Sequence, residues 1–160
     1  SIDGAYRTSA LIDVASTVQP YIGARALWRP DEIRDVVLSR ISPAEIGLAS
    51  LGGLLFPKAC GGCSGAVIQA NPAATDRILA PIAPGTIVEV GIDAARLLGH
   101  GETVRLRPGP YTLALDGERE IDILNAETTV DIRLNPNGPR VVEIEAAIEA
   151  AARGTAFRRP

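Results

Sequence analysis

The chain has 160 residues, 46% of them hydrophobic and 22% charged, with a formal net charge of -3. That length sets one domain as the expectation, able to bury about 70% of its unfolded surface. The acidic balance excludes non-specific nucleic-acid binding, which needs a basic face, and no apolar run approaches the roughly 18 residues of a membrane helix.

Aromatic residues are 4% of the chain, so the core is expected to be aliphatic. The N-terminal Ser-Ile-Asp-Gly-Ala-Tyr-Arg lacks the apolar centre of a signal peptide. Two cysteines make no disulfide scaffold, and a reducing cytoplasm is the expected compartment. There is no methionine; Ser1 fits either an excised initiator or a piece of a longer product.

Residues 9–18 read as a mostly buried strand, and a second strand is expected from Tyr21 to Trp28. Pro30, with Asp31 and Glu32 behind it, marks a helix start. Ile33, Val36, Val37 and Ile41 then recur at helical spacing, predicting a helix over Asp31 to Arg40 that ends before Pro43. Residues 46–55 are apolar and glycine-rich, and Gly52-Gly53 permits a close backbone approach or a tight turn.

Cys60-Gly-Gly-Cys63 has metal-ligand spacing, but a zinc site needs four ligands, and the chain adds only His100. The expectation is a loop dithiol with no structural metal, and His100, between two glycines, reads as a solvated loop residue.

From Gly65 onward short apolar runs alternate with turn residues. Strands are expected at 66–70, 77–83, 86–92, 102–106, 111–115, 119–124, 129–134 and 140–144, a spacing that suggests a β-sandwich. Asp116-Gly117 sits between two alternating runs, the strongest short-range hairpin signal. Leu113 and Leu115 then share one face of the first strand, Ile121 and Ile123 one face of the second. Asp116, Glu118, Arg119 and Glu120 crowd charge at the tip. Ile144, Ala147, Ile148 and Ala151 form a helical stripe, predicting a helix over Glu145 to Arg153 with Gly154 as its stop. The fold class is mainly β with flanking helices (α+β).

Leu115-Asp116-Gly117-Glu118-Arg119-Glu120, preceded by Arg77-Ile-Leu-Ala-Pro81-Ile-Ala-Pro84-Gly85, resembles the C-terminal half of the NAD kinase/diacylglycerol kinase-like superfamily. There a Pro-Ile-x-Pro strand precedes an Asp-Gly hairpin. Ile22 to Trp28, Ile46 to Leu55 and Gly138 to Val142 resemble runs of its ATP-NAD kinase-like branch, the acetoin catabolism protein X proteins. The similarity extends from about Leu11 to Phe157 and implies a single domain over residues 1–160, a β-sandwich like the NAD kinase C-terminal domain.

The resemblance implies catalytic roles for Asp116 and Glu118, matching carboxylates that position or deprotonate an acceptor hydroxyl, or touch the nucleotide, in related lipid kinases; in NAD kinases the base is instead the aspartate of Gly-Gly-Asp-Gly-Thr, which leaves Asp116 either a participant or a turn former. It implies nucleotide contacts from Ser50, Gly52, Gly53 and Gly117, with ATP and Mg²⁺ as cofactors and NAD as substrate. Two departures stand out. The hydroxyl run that contacts the dinucleotide in NAD kinases is replaced here by Ser42-Pro-Ala-Glu-Ile-Gly47, and Pro, Ala and Ile cannot make those hydrogen bonds. The Gly-Gly-Asp-Gly-Thr signature of the superfamily's N-terminal domain is missing from this sequence. The expectation is therefore a C-terminal half or subunit, inactive alone, with an N-terminal kinase half or partner chain and a homo-oligomeric assembly. The alternative is a non-catalytic β module for oligomerisation or small-ligand binding.

Overall fold

The computed structural model describes residues 1–18, 29–59, 65–138, 142, 144–154 and 157. Among them the chain forms β1 (Asp13–Thr17), β2 (Ile33–Leu38), α1 (Leu48–Leu55), β3 (Gly65–Ala70), β4 (Arg77–Ala83), β5 (Thr86–Leu98), β6 (Thr103–Arg105), β7 (Tyr111–Leu115), β8 (Arg119–Ile123), β9 (Asp131–Arg133) and α2 (Ile144–Arg153). The described residues are mainly β with two α-helices; the mainly β class agrees with the sequence, but only the second of the two helices is one the sequence predicts. The strand expected at Tyr21 to Trp28 and the Cys60–Cys63 pair lie outside the described residues, as do most of residues 140–144. His100 is exposed beside the β5–β6 turn. Among the described residues no helix is long and apolar enough to cross a membrane.

Seven strands form one sheet in the order β4-β5-β3-β2-β1-β7-β8, and β6 pairs with β9 in a second. Every pairing is antiparallel. β5 is long enough to serve two neighbours: its first half pairs with β4 and its second half with β3.

The central strands of the large sheet are buried on both faces. One face carries Ala15, Val36, Leu38, Ala66, Ile68 and Ala114 under α1, with Leu48, Leu51 and Leu55 of the helix packed on it. The other carries Val14, Val37, Val67, Leu113 and Leu115, capped by Leu106, Val130 and Leu134 from beside the small sheet.

This double burial corrects the helix expected over Asp31 to Arg40. Only Pro30–Glu32 turns, as a single 3-10 turn; Ile33–Leu38 is a strand in the middle of the sheet. A short apolar run with both faces covered has no strict alternation, so its spacing mimics a helix. Ile33, Val36 and Val37 are β-branched, which favours the extended choice.

Residues 46–55 hold the opposite surprise. Gly52 and Gly53 lie inside α1 rather than at a tight turn. A Cβ on Gly53 would sit 2.1 Å from the Pro43 nitrogen, and one on Gly52 2.4 Å from Ile41 Cγ2. The pair lets the helix lie directly on the Ser42–Pro43 backbone and the Ile41 side chain, so the close approach is present and the turn is not. The terminal helix forms at Ile144–Arg153, in agreement with its stripe.

Candidate functional site

The hairpin forms where the Asp-Gly pair places it. Leu115 lies opposite Arg119 and Leu113 opposite Ile121, leaving Asp116-Gly117-Glu118 as the loop. Asp116 and Gly117 both adopt the left-handed region, with φ of 55° and 66°. Asp116 tolerates it because its side chain finds local partners.

Those partners decide what Asp116 can do. Its carboxylate accepts the backbone N–H groups of Leu11 (2.8 Å), Ile12 (2.7 Å) and Asp13 (3.2 Å). Three successive amides converging on one anion form a nest, filled here from within the chain. Arg119 lies 3.8 Å from the same carboxylate and ties down the incoming segment through Thr8 Oγ1 and the Ser9 carbonyl. Beside it, burial and then the Asp116 charge push the Asp13 carboxyl up to about 6.

The other residues singled out by sequence lie in different settings. Glu118 is exposed at the loop tip. Ser50 is fully buried, and its hydroxyl donates to the Gly47 carbonyl at 2.7 Å. Gly52 and Gly53 pack against Leu38 and residues 41–43. Gly117 sits in open space, and its role in the turn is its positive φ. Because Gly52 meets Leu38 and Leu38 lies opposite Asp13, the helix and the hairpin share one end of the sheet.

A second polar group, which the sequence reading missed, crosses the opposite face. Gln69, Asp35, Ser16 and Leu113 lie side by side on β3, β2, β1 and β7. Asp35 is 1% exposed. Ser16 Oγ accepts the Asp35 N–H at 3.0 Å and donates to Asp35 Oδ2 at 3.1 Å. Arg107 Nε donates to Asp35 Oδ1 at 2.8 Å, and its Nη2 donates to the carbonyls of Arg34 and Ala70. The register slips here, with Ser16 opposite Asp35 and Thr17 opposite Ile33, so Arg34 is the extra residue of a bulge.

The Arg34 guanidinium lies 5.8 Å from the centre of the Tyr111 ring. The Tyr111 hydroxyl is buried and has no hydrogen-bond partner among the described residues. Burial first, and the Asp35 charge second, hold its phenol above the ordinary tyrosine range. No short motif marks this group; only the register unites residues drawn from five segments.

An open depression of about 400 Å³ lies elsewhere, between the N-terminal segment (Ile2, Asp3, Arg7) and β8. Its Asp122 accepts the Thr112 hydroxyl at 2.9 Å.

Comparison with known proteins gives one consistent relationship. Residues 1–137 match the family model described as acetoin catabolism protein X C-terminal domain. The chain is 35% identical over 152 residues to acetoin catabolism protein X of Cupriavidus necator, an alignment covering 94% of this chain and 42% of that protein. The chain thus spans less than half the length of the relative it matches. No solved structure matches it.

Proposed function

The chain belongs to the acetoin catabolism protein X C-terminal domain family, and on that premise we propose that it is the β module of a two-part ATP-NAD kinase-like protein. In this reading it adopts the β-sandwich of that superfamily's C-terminal domain and contributes nucleotide-side contacts. The transfer chemistry belongs to the remainder of the protein. By kinship with its relative, the process it serves is acetoin catabolism.

The observation that carries the division of labour is the commitment of Asp116. A carboxylate accepting three backbone amides is fixed in place with its oxygens already engaged, which favours a clasp over a group that must turn toward a substrate. Mg²⁺-ATP does not fit the hairpin as an independent site: the Asp116 oxygens are engaged with Leu11, Ile12 and Asp13, and Glu118 is exposed at the loop tip. No phosphoryl-transfer step is therefore assigned to this chain's own residues.

The test is NADP formation from NAD, ATP and Mg²⁺. The chain alone is expected to be inactive, and activity is expected when the part of the Cupriavidus necator protein lying outside the alignment is supplied. NADP made by the lone chain would contradict the division; inactivity of the whole Cupriavidus necator protein would remove the kinase reading.

A second reading, homo-oligomerisation, is favoured by the β4–β5 hairpin. Leu79 and Ile87 are 62% and 69% exposed on its outer face, flanking Pro81. Sedimentation of Leu79→Glu with Ile87→Glu tests it: a smaller species than the parent supports that interface, and an unchanged oligomer or a parental monomer contradicts it.

A further inference from the structure

We infer that α2 is the element by which this domain docks onto the part of acetoin catabolism protein X that lies outside the region aligned with this chain. The inference rests on the two-part reading of the protein but not on its kinase chemistry.

α2 is amphipathic, with an apolar stripe of Ile144, Ala147, Ile148 and Ala151, and none of its ten residues is buried. Ile144 and Ile148 are 69% and 55% exposed, and Val142 just before them is 73% exposed. The contrast with α1 is sharp: that shorter helix buries Ala49, Ser50, Leu51, Gly52 and Gly53. A helix of fewer than about 12–15 residues is marginal in water on its own, and most helical stability in proteins comes from packing an apolar face. The alanines favour the helix, and the exposed Glu149–Arg153 pair adds a little. Neither accounts for two isoleucines placed on the same side. The stripe is built to be covered.

The position of the helix in the sequence points to what covers it. The family model of the domain ends at residue 137, before α2 begins. The similarity to the Cupriavidus necator protein covers 94% of this chain, which leaves too few residues outside it to omit α2. The helix is therefore shared with a longer protein yet lies beyond the domain unit, and more than half of that protein is outside the alignment. A second copy is the poorer occupant. A stable contact between separate chains takes about 800 Å² from each partner, more than one stripe of a helix about 15 Å long can offer. A surface in the same polypeptide needs far less, because the tether raises its effective concentration. Glu145 and Glu149 border the stripe, so the surface that fits it is an apolar groove with cationic groups along one side.

Amide hydrogen exchange read by mass spectrometry tests this in the present chain, in the full-length Cupriavidus necator protein, and in that protein with its aligned region replaced by the present chain. In the present chain the α2 amides are expected to exchange within about tenfold of an unstructured peptide. In both full-length proteins the matching segment is expected to exchange at least about a hundredfold more slowly than that. Ile144→Glu with Ile148→Glu should leave the melting temperature of the present chain unchanged, since neither side chain is buried, and should abolish the protection in the hybrid. If the hybrid does not fold, the natural full-length protein decides. Fast exchange of the segment in a folded full-length protein overturns the inference, and so does protection in the hybrid that survives the double substitution. Slow exchange in the present chain also overturns it: in a monomer the domain itself would cover α2, and in a dimer seen by sedimentation a second copy would. Because NADP formation is not the readout, a protected but inactive full-length protein keeps this inference and removes the kinase reading.

Discussion

Two carboxylates taken out of water at the two ends of β1 are stabilised in opposite ways. Asp116 is satisfied by the backbone: three amides of residues 11–13 close on it, and the Arg119 guanidinium stands 3.8 Å away. Asp35 is satisfied by side chains, with Arg107 and Ser16 bonded to it. A backbone nest fixes the path of the chain and leaves no donors to spare. An arginine clamp also fixes the chain, but it brings more donors than one carboxylate can accept. Both regions therefore read as architecture: the first fixes a turn, and the second fixes a bulge in the middle of the sheet.

Removing one partner at each end sharpens the contrast. Arg107→Ala strands Asp35 as a buried, half-satisfied charge and is expected to cost about 3–5 kcal/mol in urea unfolding. Replacing both Arg107 and Asp35 with apolar residues should recover much of that loss. If the single variant costs under about 1 kcal/mol, the clamp is not what holds β2 in place.

Asp116→Ala is expected to cost about 2–3 kcal/mol, since it opens three charge-assisted bonds at the hairpin. Asp116→Asn keeps the turn, because Asn-Gly suits the same geometry. It still weakens the nest by removing charge and turning one acceptor into a donor, so about 1–2 kcal/mol is expected. Equal stability of Asn and Asp at this position would show that the turn alone matters.

Asp13 lies on the nest side and bears its cost. Its carboxyl is raised from 3.8 to about 6, mainly by burial and then by Asp116. The folded value exceeds the unfolded one, so the proton's contribution is fully present below about pH 4 and lost as the pH rises through about 6. Asp13→Asn should therefore stabilise the protein at pH 7 by about 1–2 kcal/mol, below the roughly 3 kcal/mol ceiling set by the full shift, because the group keeps some solvent contact. The gain should vanish near pH 4. A gain independent of pH would mean that the carboxyl does not titrate in this range.

The smallest effect is expected from Tyr111→Phe. Deleting a hydroxyl that has no partner among the described residues should change stability by less than about 0.5 kcal/mol, in either direction. A loss above about 1 kcal/mol would reveal a partner for that hydroxyl.

The same contrast explains what could be read from the sequence. The hairpin was legible because Asp116-Gly117 and the flanking alternation are local signals. The terminal helix was legible because its stripe is unbroken and one-sided. β2 was misread because both of its faces are buried, which erases the alternation that announces a strand. α1 was obscured by Gly52 and Gly53, residues that weaken helices but are needed here for contact with residues 41–43.

The two polar groups lay beyond sequence reasoning for a different reason. Asp116 reaches amides more than a hundred positions away, and Arg107 reaches Asp35 across 72. Neither pairing has a local signature. Only the order of strands and their register brings them together, with the bulge at Arg34 set by a one-residue slip.

Amide hydrogen exchange at Leu11, Ile12 and Asp13 tests most directly whether Asp116 is a structural clasp. In the parent chain these three amides, on a segment that is exposed in part, are expected to exchange slowly, at rates approaching those of the β1 interior. In Asp116→Ala they should exchange much faster, while the amides of β2 and β3 remain protected. Fast exchange in the parent, or equal protection in the variant, would contradict the clasp and return Asp116 to the candidates for chemistry.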